Sequence, residues 1–256
     1  MSGEIVTECR GVALWLVLNR PQALNSLTAG LLDELDAGVT AAEQDSNIRV
    51  VVLAARGSAF CAGADLTEFP DPQSAQGFLR RVGEVFDRIE SLAKPVIATV
   101  AGIAVGGGLE LVLCADLVVA ARSARFGDGH ANYGLLPGAG GSVRLPRRIG
   151  IAKAKHLMFT GNLMPAQSFT GTDLVTVLAD DDRLITETDA LVDSIAAKSP
   201  LGIAAMKQLV ADGMRSSIPD ALRREQDRCA EHARSHDFSE GLRAFTEKRP
   251  PVFTGM

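Results

Sequence analysis

The sequence predicts a protein of the α/β class, and three observations support that prediction. Short apolar runs of strand length recur along the first part of the chain and alternate with stretches of helical periodicity. From Ala190 onward the strand signals cease and helical patterns dominate. With 256 residues, 46% of them hydrophobic, the chain can bury a substantial core. We therefore expect an α/β unit over residues 1–189 and a helical region over residues 190–256.

The predicted strands are short runs of mostly apolar residues. The run Val50 to Ala55 is apolar throughout, which indicates a buried strand. The full set of predicted strands is Ile5 to Glu8, Val12 to Leu18, Arg49 to Ala54, Val96 to Val100, Leu117 to Ala121 and Leu174 to Leu178. Because helical patterns separate them, we expect crossover connections between the strands.

The predicted helices carry apolar residues at helical spacing. The first runs from Thr28, a residue type that caps helix N-termini, to Glu43. The second covers Pro72 to Leu92. Three more helices follow near the end of the chain, at Pro200 to Met214, Pro219 to His236 and Asp237 to Lys248.

The segment Ala121 to Arg148 is rich in glycine and shows no regular period. A long irregular stretch in a compact domain is more often functional than decorative. We therefore expect this segment, which contains His130, to contribute to a functional site.

A glycine triplet, Gly106 to Gly108, ends an apolar run and opens a predicted helix with Glu110 in its first turn. Glycines let a ligand approach the backbone closely, and the start of a helix presents unpaired N–H groups. Gly107 and Glu110 are three residues apart, so they share a helix face. One hypothesis is a site with an anion-binding N–H and a proton-transferring acid. The alternatives are a buried glutamate paired with an arginine, or a glycine triplet that serves only close helix packing.

A second loop of small residues follows the strand at residues 50–55. It contains Ala62, Gly63 and Ala64, whose small side chains leave their backbone N–H groups accessible. Two such loops can direct two donors at one oxygen, which is the geometry that stabilises an enolate or a tetrahedral oxyanion.

Together with three further segments, these loops resemble the crotonase superfamily, the enoyl-CoA hydratase and isomerase group. The similar segments occur in family order and span nearly the whole chain. They are Leu18 to Leu27, Phe60 to Leu66, Ala101 to Asp116, Leu136 to Ser142 and Asp237 to Arg249. The resemblance implies a spiral of ββα units, followed by a helical region that drives trimers, often paired into hexamers.

In this family the thioester carbonyl of an acyl-coenzyme A lies between two backbone N–H groups, which the resemblance assigns to Ala62 and Gly107. The family's hydratases add water to a 2-enoyl-CoA with two glutamates. The first corresponds to Glu110, but the second position holds His130. A neutral imidazole can accept and return a proton, so His130 can replace the glutamate. It can equally line the pocket and leave Glu110 to act alone or with Asp128.

The resemblance also implies contacts to coenzyme A, with Phe245 and Lys248 reaching it from a neighbouring subunit. Alternatively, Phe245 is a core residue and Lys248 a solvated charge at a helix end. The remaining residues expected to border the coenzyme are Ala23, Leu24, Ala62, Gly63, Ala64, Asp65 and Leu66.

The leading functional hypothesis is an enoyl-CoA hydratase, a hydro-lyase of fatty acid metabolism. Alternatives are another reaction of the family, such as isomerisation, decarboxylation or thioester hydrolysis, and a non-catalytic acyl-CoA binder. The glycine runs match neither the dinucleotide spacing nor a phosphate-binding loop, because Val143 occupies the last glycine place and no lysine follows. A serine hydrolase is disfavoured because no Gly-x-Ser-x-Gly motif is present.

Composition and charge limit which partners and which cellular compartment are expected. The net charge is −5 and no basic patch is evident, so neither nucleic acid nor a membrane is expected as a partner. Four scattered cysteines lack metal-ligand spacing, and neither a leader segment nor a membrane-spanning run is evident. We expect a cytoplasmic protein with no metal and no separate cofactor, coenzyme A being part of the substrate.

Overall fold

A computed structural model describes residues 3–68 and 71–256. Its larger sheet has six strands, and all but the first pair are parallel. The strands of this sheet are β1 (Ile5–Arg10), β2 (Ala13–Leu18), β3 (Val50–Ala55), β5 (Val96–Val100), β7 (Leu117–Ala121) and β10 (Val177–Ala179). They lie side by side in that order, so the six predicted strands are confirmed with shifts of a few residues at their ends.

A second sheet of four short strands lies beside the first, in the order β4-β6-β8-β9. Its strands are β4 (Ala59–Cys61), β6 (Ile103–Val105), β8 (Arg125–Gly127) and β9 (Met164–Pro165). From β3 to β8, each turn of the chain places one strand in the larger sheet and the next in the smaller sheet before helical residues follow, and in the last turn β9 of the smaller sheet precedes β10 of the larger one. This is the expected spiral of ββα units.

Nine α-helices complete the described part of the chain. They are α1 (Ala29–Gln44), α2 (Pro72–Ser91), α3 (Gly107–Leu113), α4 (Gly141–Ile149), α5 (Ile151–Thr160), α6 (Leu184–Ala196), α7 (Pro200–Gly213), α8 (Ile218–His232) and α9 (His236–Glu247). Thr28 caps α1 as predicted, since its hydroxyl accepts a hydrogen bond of 3.0 Å from the N–H of Leu31.

The prediction that residues 121–148 are irregular throughout is wrong. This stretch contains β8, most of α4 and a short 3-10 helix, His130–Tyr133. A strand of three residues is too short to show a period, and the helix that starts at Gly141 is preceded by three further glycine and alanine residues. The residues between β8 and α4 remain a loop, and they contribute to the site.

The C-terminal region consists of three helices and a tail that packs back against them. The predicted boundary between residues 189 and 190 falls inside α6, which contacts strands of the larger sheet. Two buried carboxylates hold the tail: Asp237 accepts hydrogen bonds from the N–H groups of Thr254 and Gly255, and Glu240 accepts one from Val252. No helix in the described ranges has both the length and the apolar character that a membrane span requires.

Candidate active site

The loop after β4 is held by a parallel bridge between Leu27 and Ala64. The N–H of Leu27 donates to the carbonyl of Gly63 at 2.8 Å, and the N–H of Asp65 donates to the carbonyl of Leu27 at 2.9 Å. Because successive backbone groups point to opposite sides of an extended segment, the N–H of Ala64 faces away from Leu27. Within residues 3–68 and 71–256 it has no hydrogen-bond acceptor.

The glycine triplet lies directly against this loop. A methyl group built on Gly107 would lie 3.4 Å from the nitrogen of Ala64, and one built on Gly63 would lie 3.4 Å from the nitrogen of Gly107. At Gly108 such a group would lie 2.1 Å from the carbonyl oxygen of Cys61. Glycine at this position therefore lets α3 approach the loop closely, as its small size allows.

Gly107 is buried, and its N–H donates to no acceptor in the part of the chain that the structure describes. Buried backbone N–H groups are nearly always paired, so this one needs an acceptor from outside the chain. The neighbouring N–H of Ala64 has the same need. Together they form a two-donor site of the kind that binds a carbonyl oxygen as it gains negative charge.

The prediction that Ala62 supplies the first donor is wrong. The N–H of Ala62 donates to the carbonyl of Leu24 at 3.0 Å, so it is already used within the fold. The free donor in this loop is Ala64, two residues later. The prediction for Gly107 agrees with its free N–H.

Glu110 lies one turn into α3, and its side chain is only 4% exposed. Its Oε1 accepts hydrogen bonds of 2.8 Å from the N–H groups of both Ala139 and Gly141. The backbone of the segment Leu136 to Ser142 therefore positions the carboxyl group of Glu110. These two backbone donors were not among the residues predicted from the sequence. Burial raises the pKa of Glu110 above its usual value, although the two amides and His130 oppose that shift. Among the described residues no arginine pairs with Glu110, so the alternative of a carboxylate neutralised by an arginine does not apply there.

His130 lies between two carboxyl groups. Its Nε2 is 3.9 Å from Oε2 of Glu110, and its Nδ1 is 3.1 Å from Oδ1 of Asp128. Asp128 is 2% exposed and also accepts a hydrogen bond from the backbone N–H of His130. Burial acts to lower the pKa of His130, but the hydrogen bond and charge of Asp128, together with Glu110, outweigh it and raise the pKa.

Arg144 braces the loop that holds Glu110. Its guanidinium donates to the carbonyl of Ala139 at 2.8 Å and to the carboxylates of Asp87 and Glu90 on α2, at 2.7 and 2.8 Å. Helix α2 therefore stabilises the position of the two amides on Glu110. This residue lies outside the predicted set because its partners are far from it in sequence.

The turn that contains Ala23 and Leu24 is tied to the connection between β3 and β4 through Asn25. Asn25 is fully buried and adopts a left-handed backbone conformation, with φ 55°. Its side-chain amide donates 2.8 Å hydrogen bonds to the carbonyls of Arg56 and Ala59, and its oxygen accepts one from the N–H of Arg20. A short polar side chain of this type is among the few that tolerate such a backbone.

We expect Asn25→Ala to lower the free energy of unfolding by about 3 kcal/mol, because it strips the partners from the buried carbonyl of Ala59 and from two partly buried backbone groups. Urea unfolding followed by circular dichroism measures this change. The exposed Asn47, which bonds only to Asp45, provides the control: Asn47→Ala should stay within about 0.5 kcal/mol. Equal effects of the two substitutions would contradict the role assigned to Asn25.

The remaining residues predicted to contact the coenzyme have no described contact with the two free amides. The carboxylate of Asp65 is engaged by Arg20, Ser26 and Thr67, so this side chain organises the loop. Leu24 and Leu66 are each about half exposed. Phe245 is 85% exposed on α9, whose described side-chain contacts join it to the tail, α8 and Ser199. Lys248 ends that helix. The structure of one chain does not bring these two residues to the loop, and their reach from a neighbouring subunit stays a prediction.

Cys61 adjoins the candidate site but is not a candidate nucleophile. Its side chain is fully buried, and burial raises the pKa of its thiol to about 12. Residues 3–68 and 71–256 contain no group of three or more histidine, cysteine, aspartate or glutamate side chains that could hold a metal ion.

Comparison with known proteins agrees with this geometry. The family model described as enoyl-CoA hydratase/isomerase matches residues 9–256. A probable enoyl-CoA hydratase of Mycobacterium bovis is 37% identical over 239 residues, covering 93% of each chain. A short-chain-enoyl-CoA hydratase of Clostridium acetobutylicum is 34% identical over 251 residues, 96% of this chain and 95% of the relative.

The fold comparison leads to the same family. The crystal structure of an enoyl-CoA hydratase from Bacillus anthracis superposes with a TM-score of 0.95 and 34% sequence identity, covering 99% of this chain and all of the other. Its match extends over both the ββα spiral and the C-terminal helices. The chain described here belongs to the enoyl-CoA hydratase/isomerase family.

Proposed function

We propose that this protein hydrates the double bond of a 2-enoyl-CoA thioester. The observation that carries the proposal is the pair of unpaired amides of Ala64 and Gly107, beside the buried carboxyl of Glu110 and the imidazole of His130. Family membership and the names of the relatives support the same substrate class.

In the proposed reaction the thioester oxygen accepts hydrogen bonds from the two amides. Water adds at the β-carbon, the electrons of the double bond move toward that oxygen, and a proton then joins the α-carbon. Each preorganised amide lowers the barrier by about 3 kcal/mol, because the oxygen carries most charge in the transition state. Glu110 and His130 transfer the protons, and no separate cofactor takes part because coenzyme A belongs to the substrate.

We also propose an oligomeric state, a cellular compartment and a metabolic role for the protein. Several large apolar side chains of α7 and its C-terminal cap, of α8 and of α9 are more than half exposed, which supports a homotrimer or a dimer of trimers. They are Met206, Val210, Met214, Ile218, Leu222, Leu242 and Phe245. We place the protein in the cytoplasm and in fatty acid metabolism on its family likeness. Light scattering of the purified protein tests the assembly, and a monomer mass at micromolar concentration would exclude it.

The purified protein should consume crotonyl-CoA and longer 2-enoyl-CoAs, followed as loss of the absorbance of the conjugated thioester. The mass of the product separates the alternatives within the family. Hydration adds one water, isomerisation leaves the mass unchanged, decarboxylation removes carbon dioxide and hydrolysis releases free coenzyme A. Tight binding without turnover of any acyl-CoA would replace the proposal with a non-catalytic binder.

The same assay tests whether His130 takes part in proton transfer. If its imidazole transfers a proton, His130→Ala should lower kcat by about 10² to 10⁴-fold. Exposed His156 provides a matched control, and His156→Ala should leave kcat unchanged. Full activity of His130→Ala would assign the proton transfers to Glu110 alone.

A further inference from the structure

Asp128 is a buried acidic residue to which the proposed reaction assigns no role. It is 2% exposed, and no lysine or arginine is among its partners in the described part of the chain. Both of its hydrogen bonds go to His130, one to the ring and one to the backbone N–H. A buried carboxylate without a cation is costly, so its retention here needs a reason.

The geometry around the ring supplies that reason. With Nδ1 at 3.1 Å from Asp128, the ring has its Nδ1–H bonded and its Nε2 directed toward Glu110. In histidine sites the partner of one ring nitrogen sets the tautomer and the direction of the other. In the described part of the chain, the titratable groups that face the imidazole are Asp128 on the loop after β8 and Glu110 on α3. Gly106 backs the ring, because a methyl group built there would lie 3.7 Å from Cε1 of His130.

We propose that Asp128 is a positioning residue that holds His130 as an imidazolium, so that Nε2–H is the acid of the reaction and the Glu110 carboxylate is the base. This proposal rests on the proposed function. The pair Asp128 and His130 then does the work of the second glutamate of the family's hydratases. Because Nδ1 of His130 is bonded to Asp128, only Nε2 is available to the substrate. A glutamate at this position would offer either of its two oxygens.

The proton transfers balance over one turnover. Glu110 takes a proton from water as the water oxygen bonds to the β-carbon, and His130 gives its Nε2 proton to the α-carbon of the enolate. Oε2 of Glu110 and Nε2 of His130 are 3.9 Å apart, so the proton on Glu110 returns to Nε2 through one water molecule that hydrogen-bonds to both groups. The site regains its initial charge, and the product has gained one water.

The assignment of acid and base fixes the sign of the pH dependence. Activity should fall at high pH as His130 loses its proton and at low pH as Glu110 gains one. Asp128 favours the charged imidazole, so Asp128→Asn should move the alkaline limb of kcat/KM to lower pH. We expect a shift of about one pH unit, which is about a tenfold loss of activity above the limb and little change below it. Asp189→Asn, at an exposed site on α6, should leave the profile unchanged.

The same substitution of Asp128 in a His130→Glu variant distinguishes a role in positioning the imidazole from a role in general structural support. In the His130→Glu variant no ring remains to be held, and Asp128 would place a like charge beside the new carboxyl group. There Asp128→Asn should leave the activity equal or raise it. An equal loss in both backgrounds, or an unmoved alkaline limb in the His130 background, would overturn the proposal.

A readout that does not depend on turnover keeps this inference separate from the proposed function. In ¹⁵N-histidine NMR of the full-length protein, His130→Gln identifies the signal of His130 among the four histidines. The neutral ring should carry its proton on Nδ1, and its pKa should fall by about one unit in Asp128→Asn. An Nε2–H tautomer, or an unchanged pKa, would refute the role of Asp128 even if the protein hydrates crotonyl-CoA. The expected NMR result without any hydration would refute the proposed function alone.

Discussion

Replacing Glu110 with glutamine should nearly abolish hydration while leaving the fold and substrate binding intact. The new side-chain oxygen can still accept hydrogen bonds from the N–H groups of Ala139 and Gly141, which now bond Oε1. The amide nitrogen that replaces the other oxygen cannot take a proton from water. We therefore expect kcat with crotonyl-CoA to fall by about 10² to 10⁴-fold, the usual contribution of a positioned acid or base.

The controls for Glu110 use both activity and stability. Glu110→Ala should lose activity as well, but it should also lower the free energy of unfolding by about 1 to 3 kcal/mol for each of the two buried amides left unpaired. Glu225→Gln, at an exposed position of α8, should change neither quantity. A Glu110→Gln protein that keeps a tenth or more of the wild-type kcat would remove Glu110 from the proton transfers.

The amide of Ala64 can be tested by removing one N–H without altering any side chain. Incorporation of the α-hydroxy acid matching alanine at position 64 replaces the amide by an ester and deletes the donor. No acceptor within the described ranges uses this N–H, so stability should fall only slightly, by the weaker hydrogen bond that the Gly63 ester carbonyl accepts from Leu27. The hydration kcat should drop by about 10² to 10³-fold, as expected for loss of one donor to the thioester oxygen.

The same exchange at position 62 is the matched control. The N–H of Ala62 is bonded to the carbonyl of Leu24, so its loss should cost about 1 kcal/mol of stability and leave kcat within a few fold. The opposite pattern, with the large kinetic effect at position 62, would restore the original prediction from the sequence.

Much of the fold follows from local patterns. The strands of the larger sheet are apolar runs, and α1, α2 and the C-terminal helices show helical spacing, so their existence could be predicted. The strands of the smaller sheet could not, because two or three residues are too few to show a period. Their positions depend on pairing between distant segments, such as β4 with β6.

The candidate site likewise contains residues that local motifs predict and residues that only long-range contacts identify. Glu110 and Gly107 follow from one contiguous motif and its resemblance to the family. The choice between Ala62 and Ala64 depends on which N–H the turn at Leu24 uses, which is a contact between segments far apart in sequence. The backbone donors on Glu110 and the brace from Arg144 are likewise long-range contacts that no local spacing indicates.

A crystal structure of the protein with butyryl-CoA, a saturated analogue that cannot be hydrated, tests the central claim most directly. We predict that the thioester oxygen lies about 3 Å from the backbone nitrogens of both Ala64 and Gly107, with the β-carbon facing Glu110 and His130. A thioester oxygen beyond hydrogen-bonding distance of either nitrogen, or an acyl chain bound elsewhere, would contradict it.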